Sequence, residues 1–105
     1  MDDSLRNRIH SLVNANRVVL FMKGNKTFPQ CGFSAQVLGI LKQAGVDFDA
    51  HNVLTDAELR QGIKEFSEWP TIPQLYVEGK FIGGCDIVTE LYQRGELDGL
   101  LKGAA

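Results

Sequence analysis

Five consecutive apolar residues, Val18-Val19-Leu20-Phe21-Met22, constrain the fold of this chain more than any other stretch. The run is short and rich in residues that favour β-structure, so it predicts a strand. No polar residue alternates with the apolar ones, which predicts that both faces of the strand are buried, as in the centre of an α/β sheet. Helices must then cover both faces of that sheet.

The rest of the sequence divides into helix and strand patterns in the order α-β-α-β-α-β-β-α-α. The further predicted strands are 46–51 and a hairpin of 74–77 and 80–82 around Glu78-Gly79. The predicted helices are 4–14, one from Cys31 that stops at Gly45, one opened by the capping-box pattern Thr55-Asp56-Ala57-Glu58, one from Cys85, and a short one at 97–101.

A β-α-β start followed by an antiparallel hairpin predicts a small mixed sheet. With a cysteine at the β-to-α junction, this layout is that of a thioredoxin-like α/β fold, with a central four-stranded sheet flanked by about five helices. We expect a single domain over residues 1–105, because the length fits one compact domain and the sequence contains no repeat, low-complexity tract or linker.

Composition and charge argue against several classes of function. Eleven basic and thirteen acidic residues give a formal net charge of −2, which argues against binding nucleic acid or an anionic membrane through bulk charge. No apolar run approaches the roughly 18 residues that a spanning helix needs, and the acidic start lacks the apolar core of a signal peptide. We therefore expect a cytoplasmic protein, in which a structural disulfide between Cys31 and Cys85 is the less suitable use of two cysteines.

The common metal and nucleotide signatures are missing from the sequence. It contains no Cys-x-x-Cys pair, Cys/His cluster, Walker-type phosphate loop or dinucleotide fingerprint. His10 and His51 have no sequence-local partner at metal-ligand spacing, so we interpret both as surface or structural histidines.

Cys31 is the strongest candidate for a reactive group. It follows Pro29 at the start of a helical pattern, where free backbone N–H groups and the helix dipole stabilise a thiolate. Lys23, at the end of the preceding strand, can add positive charge nearby. Ser34 stands where a dithiol redox protein has its second cysteine. The alternative is that Cys31 is a buried structural residue that packs as a small hydrophobe.

Four motifs, in this order and spacing, resemble those of one family. They are Met22-Lys23-Gly24, Cys31-Gly32-Phe33-Ser34, Trp69-Pro70-Thr71-Ile72-Pro73 and Gly83-Gly84-Cys85-Asp86. Together they are similar to the motifs of monothiol glutaredoxins of the single-domain Cys-Gly-Phe-Ser class, and the resemblance covers nearly the entire chain. It implies a glutaredoxin domain that binds glutathione, with Cys31 as its catalytic or metal-binding thiol.

The resemblance implies two cations for the glycine carboxylate of glutathione. Lys23 offers a point charge and Arg60, on the third predicted helix, a planar fork suited to a carboxylate. Without the resemblance, Arg60 is better interpreted as a solvated surface residue. For Trp69, two interpretations stay open, which are local packing and a surface where a partner docks.

Two further segments are implied as glutathione contacts. A cis peptide before Pro73 is expected to turn the backbone of Ile72 outward, so that the cysteinyl part of glutathione adds to it like a strand. The γ-glutamyl carboxylate suits the backbone N–H groups of Cys85 and Asp86, and the Asp86 side chain suits the ammonium. The simpler alternatives are a rigid turn at Pro73 and helix capping by Asp86. Cys85 can also pair with Cys31 under oxidation.

Two functions for the single thiol follow from the resemblance. In the preferred one, Cys31 is a metal ligand, and two protomers with two glutathiones supply the four thiolates of a [2Fe-2S] cluster. The cluster-bridged homodimer then transfers the cluster to apo iron-sulfur proteins, and a BolA-type protein is a further implied partner. In the alternative, Cys31 is the nucleophile of a glutathione-dependent thiol-disulfide oxidoreductase, in which free glutathione replaces the resolving cysteine.

The oxidoreductase activity is expected to be weak, if present. The loop from Gly24 to Phe28 matches the longer segment that the family carries before the cysteine and that is linked there with low activity. Phe33 either shields a cluster from solvent or packs in the core. A third function, an interaction module without chemistry, would leave the agreement of these motifs unexplained.

Overall fold

The computed structural model describes residues 1–103, which form four strands, five α-helices and a 3-10 turn, Val53–Thr55. The strands are β1 (Val18–Met22), β2 (Asp49–Asn52), β3 (Gln74–Val77) and β4 (Lys80–Gly83). The helices are α1 (Asp3–Asn14), α2 (Gly32–Ala44), α3 (Ala57–Ser67), α4 (Cys85–Gln93) and α5 (Leu97–Lys102). The order of helices and strands is the one that the sequence predicts.

The four strands form one mixed sheet in the order β2-β1-β3-β4. β1 runs parallel to β2, with Val19 opposite Asp49, and antiparallel to β3. β3 and β4 form the predicted hairpin, and both residues of its Glu78-Gly79 turn have positive φ. The predicted thioredoxin-like fold, with a four-stranded mixed sheet and five helices, is therefore confirmed.

Alternate residues of β1 contribute to two cores, one on each face of the sheet. Val18, Leu20 and Met22 pack with residues of α2, α4 and α5. Val19 and Phe21 pack with residues of α1 and α3 on the opposite face. All five side chains are at most 1% exposed, which confirms that β1 is buried on both faces. Burial of side chains of this size stabilises the fold by about 1.5–3 kcal/mol each.

The second strand begins later than the alternating pattern predicts. Gly45 ends α2 with a φ of +72°, and the chain reaches β1 only at Asp49, opposite Val19. Val46 and Phe48 therefore pack into the core beneath α2 and do not pair in the sheet. The predicted strand 46–51 is wrong at its start, because the alternation of apolar residues reflects packing under a helix.

Asp56 caps α3, whereas the sequence pattern predicts Thr55 as the capping residue. The Asp56 carboxylate accepts hydrogen bonds from the Leu59 N–H at 3.0 Å and from the Arg8 guanidinium at 2.6 Å. These bonds, that from Arg8 first, hold the pKa of Asp56 below its usual value. Thr55 instead ends the 3-10 turn and donates its hydroxyl to the carbonyl of Asn52. The predicted capping box is therefore wrong in its first residue.

Candidate functional site

A cavity of about 440 Å³ lies where the end of β1, the starts of α2 and α4, the end of α3 and the loop 69–73 meet. It collects all the predicted site residues except Arg60. Its lining comprises Lys23, Cys31, Phe33, Lys64, Trp69, Pro70, Thr71, Ile72, Pro73, Gly84, Cys85, Asp86 and Ile87. Residues that are far apart in sequence therefore form one site around the thiol.

Cys31 is the N-cap residue of α2 and is partly exposed at the cavity wall. The backbone N–H of Ser34 has the largest influence on the thiol and lowers the pKa of Cys31, although partial burial opposes it. The Phe33 N–H, the charge of Lys23 and the Ser34 hydroxyl act in the same direction as the Ser34 N–H. Cys31 is thus an accessible thiol that ionises more readily than usual, and not a buried packing residue.

Ser34 has a structural role that the sequence does not reveal. Its side chain is fully buried, and its hydroxyl oxygen accepts a hydrogen bond from the Lys23 N–H at 3.0 Å. This bond ties the end of β1 to the first turn of α2. The hydroxyl therefore helps to place both Lys23 and Cys31.

Phe33, two residues after the thiol, is 62% exposed. Its ring lines the cavity from the first turn of α2. Of the two interpretations that the sequence leaves open, packing in the core is therefore wrong. An exposed aromatic ring next to the thiol forms an apolar rim to the site.

The loop before β3 presents backbone groups to the cavity. The peptide bond between Ile72 and Pro73 is cis, as expected from the motif. Gln74, fully buried, holds the loop because its amide donates to the carbonyls of Trp69 and Thr71, at 3.1 and 3.2 Å. No turn, loop or side-chain hydrogen bond within residues 1–103 uses the N–H or the C=O of Ile72. This role of Gln74 was not predicted, although an amide within an otherwise apolar strand pattern is a detectable signal.

The start of α4 forms another part of the cavity wall. Gly84 is its N-cap residue, and Cys85 and Asp86 are the first residues of the helix. Their N–H groups belong to the first turn, which lacks partners within the helix. The Cys85 thiol is free and lies 3.9 Å from the hydroxyl of Thr89. Cys31 and Cys85 are both free thiols, and their pairing under oxidation stays an open alternative.

Trp69 packs between the cavity and the hairpin. Its ring lies 5.7 Å from that of Phe81, and its indole nitrogen is buried without a hydrogen-bond partner within residues 1–103. A Cβ atom on Gly84 would lie only 3.2 Å from that nitrogen. Close approach of the indole therefore favours glycine at position 84, which supports the packing interpretation of Trp69.

Lys64 is a lining cation of the cavity that the sequence does not predict, and the implied contact of Arg60 with glutathione stays a prediction. Arg60 is exposed on α3 and does not line the cavity, whereas Lys64, one turn later on the same helix, does. Residues four apart share a helix face, so the neighbour of Arg60 could have been considered from the sequence. With Lys23, the lining then has two cations against the single carboxylate of Asp86.

Three other structural observations bear on function. Within residues 1–103, no group of three or more His, Cys, Asp or Glu side chains is placed to hold a metal ion. In the same part of the chain, no helix combines the length and apolar character that crossing a membrane requires. Of the two histidines, His51 is half-buried with its ring 5.3 Å from Phe21, which fits the structural interpretation.

A thiol at the N-cap position of the first helix after β1, beside a cis-proline loop on a thioredoxin-like sheet, defines the class of thiol-dependent domains with this fold. The glutaredoxin family model matches residues 18–82, and the chain therefore belongs to the glutaredoxin family. A monothiol glutaredoxin of Synechocystis, itself uncharacterized, is 57% identical over 97% of this chain and 95% of its own length. Similar identities to other proteins named monothiol glutaredoxins place the chain in the monothiol branch.

Solved structures agree with this assignment. Reduced apo GrxS14 from poplar has 51% sequence identity and a TM-score of 0.82, covering 93% of this chain and 90% of its own. A buckwheat glutaredoxin, solved as a complex with glutathione, has 25% identity and a TM-score of 0.83, covering 97% of this chain and 94% of its own.

Proposed function

We propose that this protein binds glutathione in the cavity and uses it, together with Cys31, to carry a [2Fe-2S] cluster between two protomers. The observation that carries the proposal is one accessible thiol with a lowered pKa at the cavity wall, with no resolving cysteine on its own helix. Cys31 caps α2 at the cavity wall, and the position of a resolving cysteine is filled by the buried Ser34. A thiolate that has no resolving cysteine within its own helix is suited to ligation by exchangeable partners.

The charges of the cavity fit glutathione, which has two carboxylates, one ammonium and one thiol. Lys23 and Lys64 offer cations to one carboxylate, and the first N–H groups of α4 offer donors to the other. Asp86 faces the same cavity and can pair with the ammonium. The unused N–H and C=O of Ile72 suit the peptide groups of the ligand. The solved glutathione complex of the buckwheat glutaredoxin supports this proposal.

The ligand set of one protomer is too small for a cluster by itself. A [2Fe-2S] cluster held by thiolates needs four thiolate ligands. The cavity supplies one accessible thiol with a lowered pKa, that of Cys31. One glutathione thiolate per protomer and a second protomer complete the set. The exposed ring of Phe33 would then cover one side of the shared cluster. Because half of the ligands are small molecules, such a cluster can be handed on to apo iron-sulfur proteins.

Anaerobic reconstitution with iron and sulfide, with and without glutathione, tests the proposal. We expect a [2Fe-2S] absorption spectrum only with glutathione, on a species with the size of a dimer. Cys31→Ser is expected to abolish the spectrum, and Lys80→Met, at an exposed position on β4, to leave it unchanged. Loss of the spectrum in Cys85→Ser would make the second thiol of the cavity a ligand and would contradict the proposed set.

The competing function is a glutathione-dependent oxidoreductase with Cys31 as its nucleophile, because a thiol with a lowered pKa also serves disulfide exchange. If no cluster forms under any condition and the protein efficiently removes glutathione from a mixed disulfide, the oxidoreductase function replaces the cluster-carrier function. A BolA-type partner and a cytoplasmic location stay predictions beside either function.

A further inference from the structure

Residues 24–30 form a loop that leads into Cys31, and we call it the pre-cysteine loop. Its tip is exposed, yet side chains and backbone groups of other segments hold it in place. At its tip, the Lys26 ammonium lies 4.1 Å from the centre of the Phe48 ring and donates to the Phe48 carbonyl. Lys42, in the last turn of α2, donates to the Lys26 carbonyl at 2.7 Å. The tip is thus tied both to α2 and to the segment before β2.

Hydrogen bonds also close the base of the pre-cysteine loop. The Gly24 N–H donates to the side-chain oxygen of Asn52 at 3.0 Å, and the Gln30 N–H donates to the Lys23 carbonyl at 2.8 Å. Gly24 has a φ of +96°, and a Cβ atom there would lie 2.4 Å from the Phe28 carbonyl oxygen. The two ends of the loop are therefore pinned next to each other, with little room between them.

We propose that Lys26 is a positioning residue of the glutathione site. By holding the tip of the pre-cysteine loop, it keeps Lys23 at one end and Cys31 at the other in place on the cavity wall before a ligand arrives. Lys26 does not line the cavity, so it acts through those two residues. Order that exists before binding does not have to be gained on binding, which raises affinity. The identity of the ligand rests on the proposed function, whereas the order of the loop does not.

The tether consists of a hydrogen bond and a cation–π contact, since Lys26 makes no ion pair within residues 1–103. An unpaired ammonium can also attract an anionic ligand directly, and salt separates the two effects. At about 0.5 M salt the screening length falls to about 4–5 Å, so a direct effect of the charge is largely lost. A positioning effect persists, because the local contacts of the tether are screened far less.

Three variants test the role of Lys26. Lys26→Met keeps an apolar stem over Phe48 and removes the donor, Lys26→Arg restores both contacts, and Lys80→Met removes an exposed lysine elsewhere. Amide hydrogen exchange at Gly24 and Phe28 reports on loop order, and calorimetry gives the Kd of glutathione at low salt and at about 0.5 M salt.

We expect Lys26→Met to exchange about tenfold faster at these amides and to bind glutathione about threefold to tenfold more weakly at both salt concentrations. Its Tm is expected to stay within about 3 °C of the original, since the loop lies outside both cores. Lys26→Arg is expected to recover exchange and affinity to within about twofold, and Lys80→Met to match the unmodified chain.

The proposal is overturned if Lys26→Met exchanges and binds like the unmodified chain, or if exchange becomes faster with no loss of affinity. A loss of affinity that disappears in salt assigns a direct role to the charge and also overturns it. If the unmodified chain binds no glutathione, the proposed function fails, and the inference is then decided by the exchange rates alone.

Discussion

At the scale of single residues, the site depends on how a few groups are placed around one sulfur atom. Cys31 is activated first by a backbone N–H of its own helix and only then by Lys23 and the Ser34 hydroxyl. The helical position of a cysteine is visible in sequence, so this activation could be predicted. The burial of Ser34 could not, because it depends on how α2 packs against the sheet, and for Lys64 the sequence offers only its helical spacing from Arg60.

The charge of Lys23 can be tested through the reactivity of the thiol. Lys23→Met removes a nearby positive charge, so the pKa of Cys31 should rise and its alkylation at about pH 6.5 should slow by about twofold to threefold. The pH dependence of the iodoacetamide rate, measured with Cys85→Ser present so that one thiol reacts, checks this expectation. An unchanged pH profile would mean that the charge of Lys23 does not reach the sulfur.

Removal of the Ser34 hydroxyl should destabilise the fold. Ser34→Ala leaves the Lys23 N–H without its partner next to a fully buried site, which costs about 1–3 kcal/mol of unfolding free energy. Urea denaturation measures the loss. The matched control is Ser4→Ala, an exposed position in α1 where a change within about 0.5 kcal/mol is expected. Equal effects of the two substitutions would remove the structural role assigned to Ser34.

At the scale of helices and strands, the long apolar patterns were sufficient to predict the order and type of the elements. The errors lie at element ends, where tertiary contacts decide. Asp49 begins β2 because pairing with Val19 begins there, although Val46 and Phe48 continue the alternation. Asp56 caps α3 because its carboxylate also reaches Arg8, a residue 48 positions away. Neither contact can be seen in a local sequence window.

Two glycines of the region around Cys31 should respond in opposite directions to alanine. Gly39 lies within α2, and a Cβ atom there meets nothing within 4 Å, so Gly39→Ala should raise the unfolding free energy by about 0.5–1 kcal/mol. Gly24→Ala should lower it, because the new Cβ would lie 2.4 Å from a backbone oxygen at a φ of +96°. Thermal unfolding of the pair checks both signs, and stabilisation by Gly24→Ala would contradict the described loop.

At the scale of the whole molecule, the cavity is built from the ends of packed elements and from the loop 69–73. β1 and β3 occupy the centre of the sheet, and the cavity forms where β1 ends and the loop before β3 begins. The sequence motifs predicted which segments meet there, because the resemblance fixes their roles. Only the fold determines which side chains of α3 line the cavity, which is why Lys64 was not predicted, and the contact of Arg60 with glutathione stays a prediction.

The stability of the fold should decrease in mild acid. Burial is the main cause that lowers the pKa of His51, so the unfolded chain binds a proton more readily than the folded one. The contribution of His51 is fully present above its unfolded pKa of about 6.5 and is lost as the pH falls toward the folded value. We expect a lower Tm at about pH 5.5 than at about pH 7.5, and a smaller difference in His51→Phe. A difference that His51→Phe leaves unchanged would assign the acid sensitivity to other groups.

The most direct test of the central claim is the composition of the reconstituted species by native mass spectrometry under anaerobic conditions. The account predicts one mass, that of two chains, two glutathiones and one [2Fe-2S] cluster, which is absent for Cys31→Ser. A cluster bound to a single chain, or a dimer that holds a cluster without glutathione, would contradict the account.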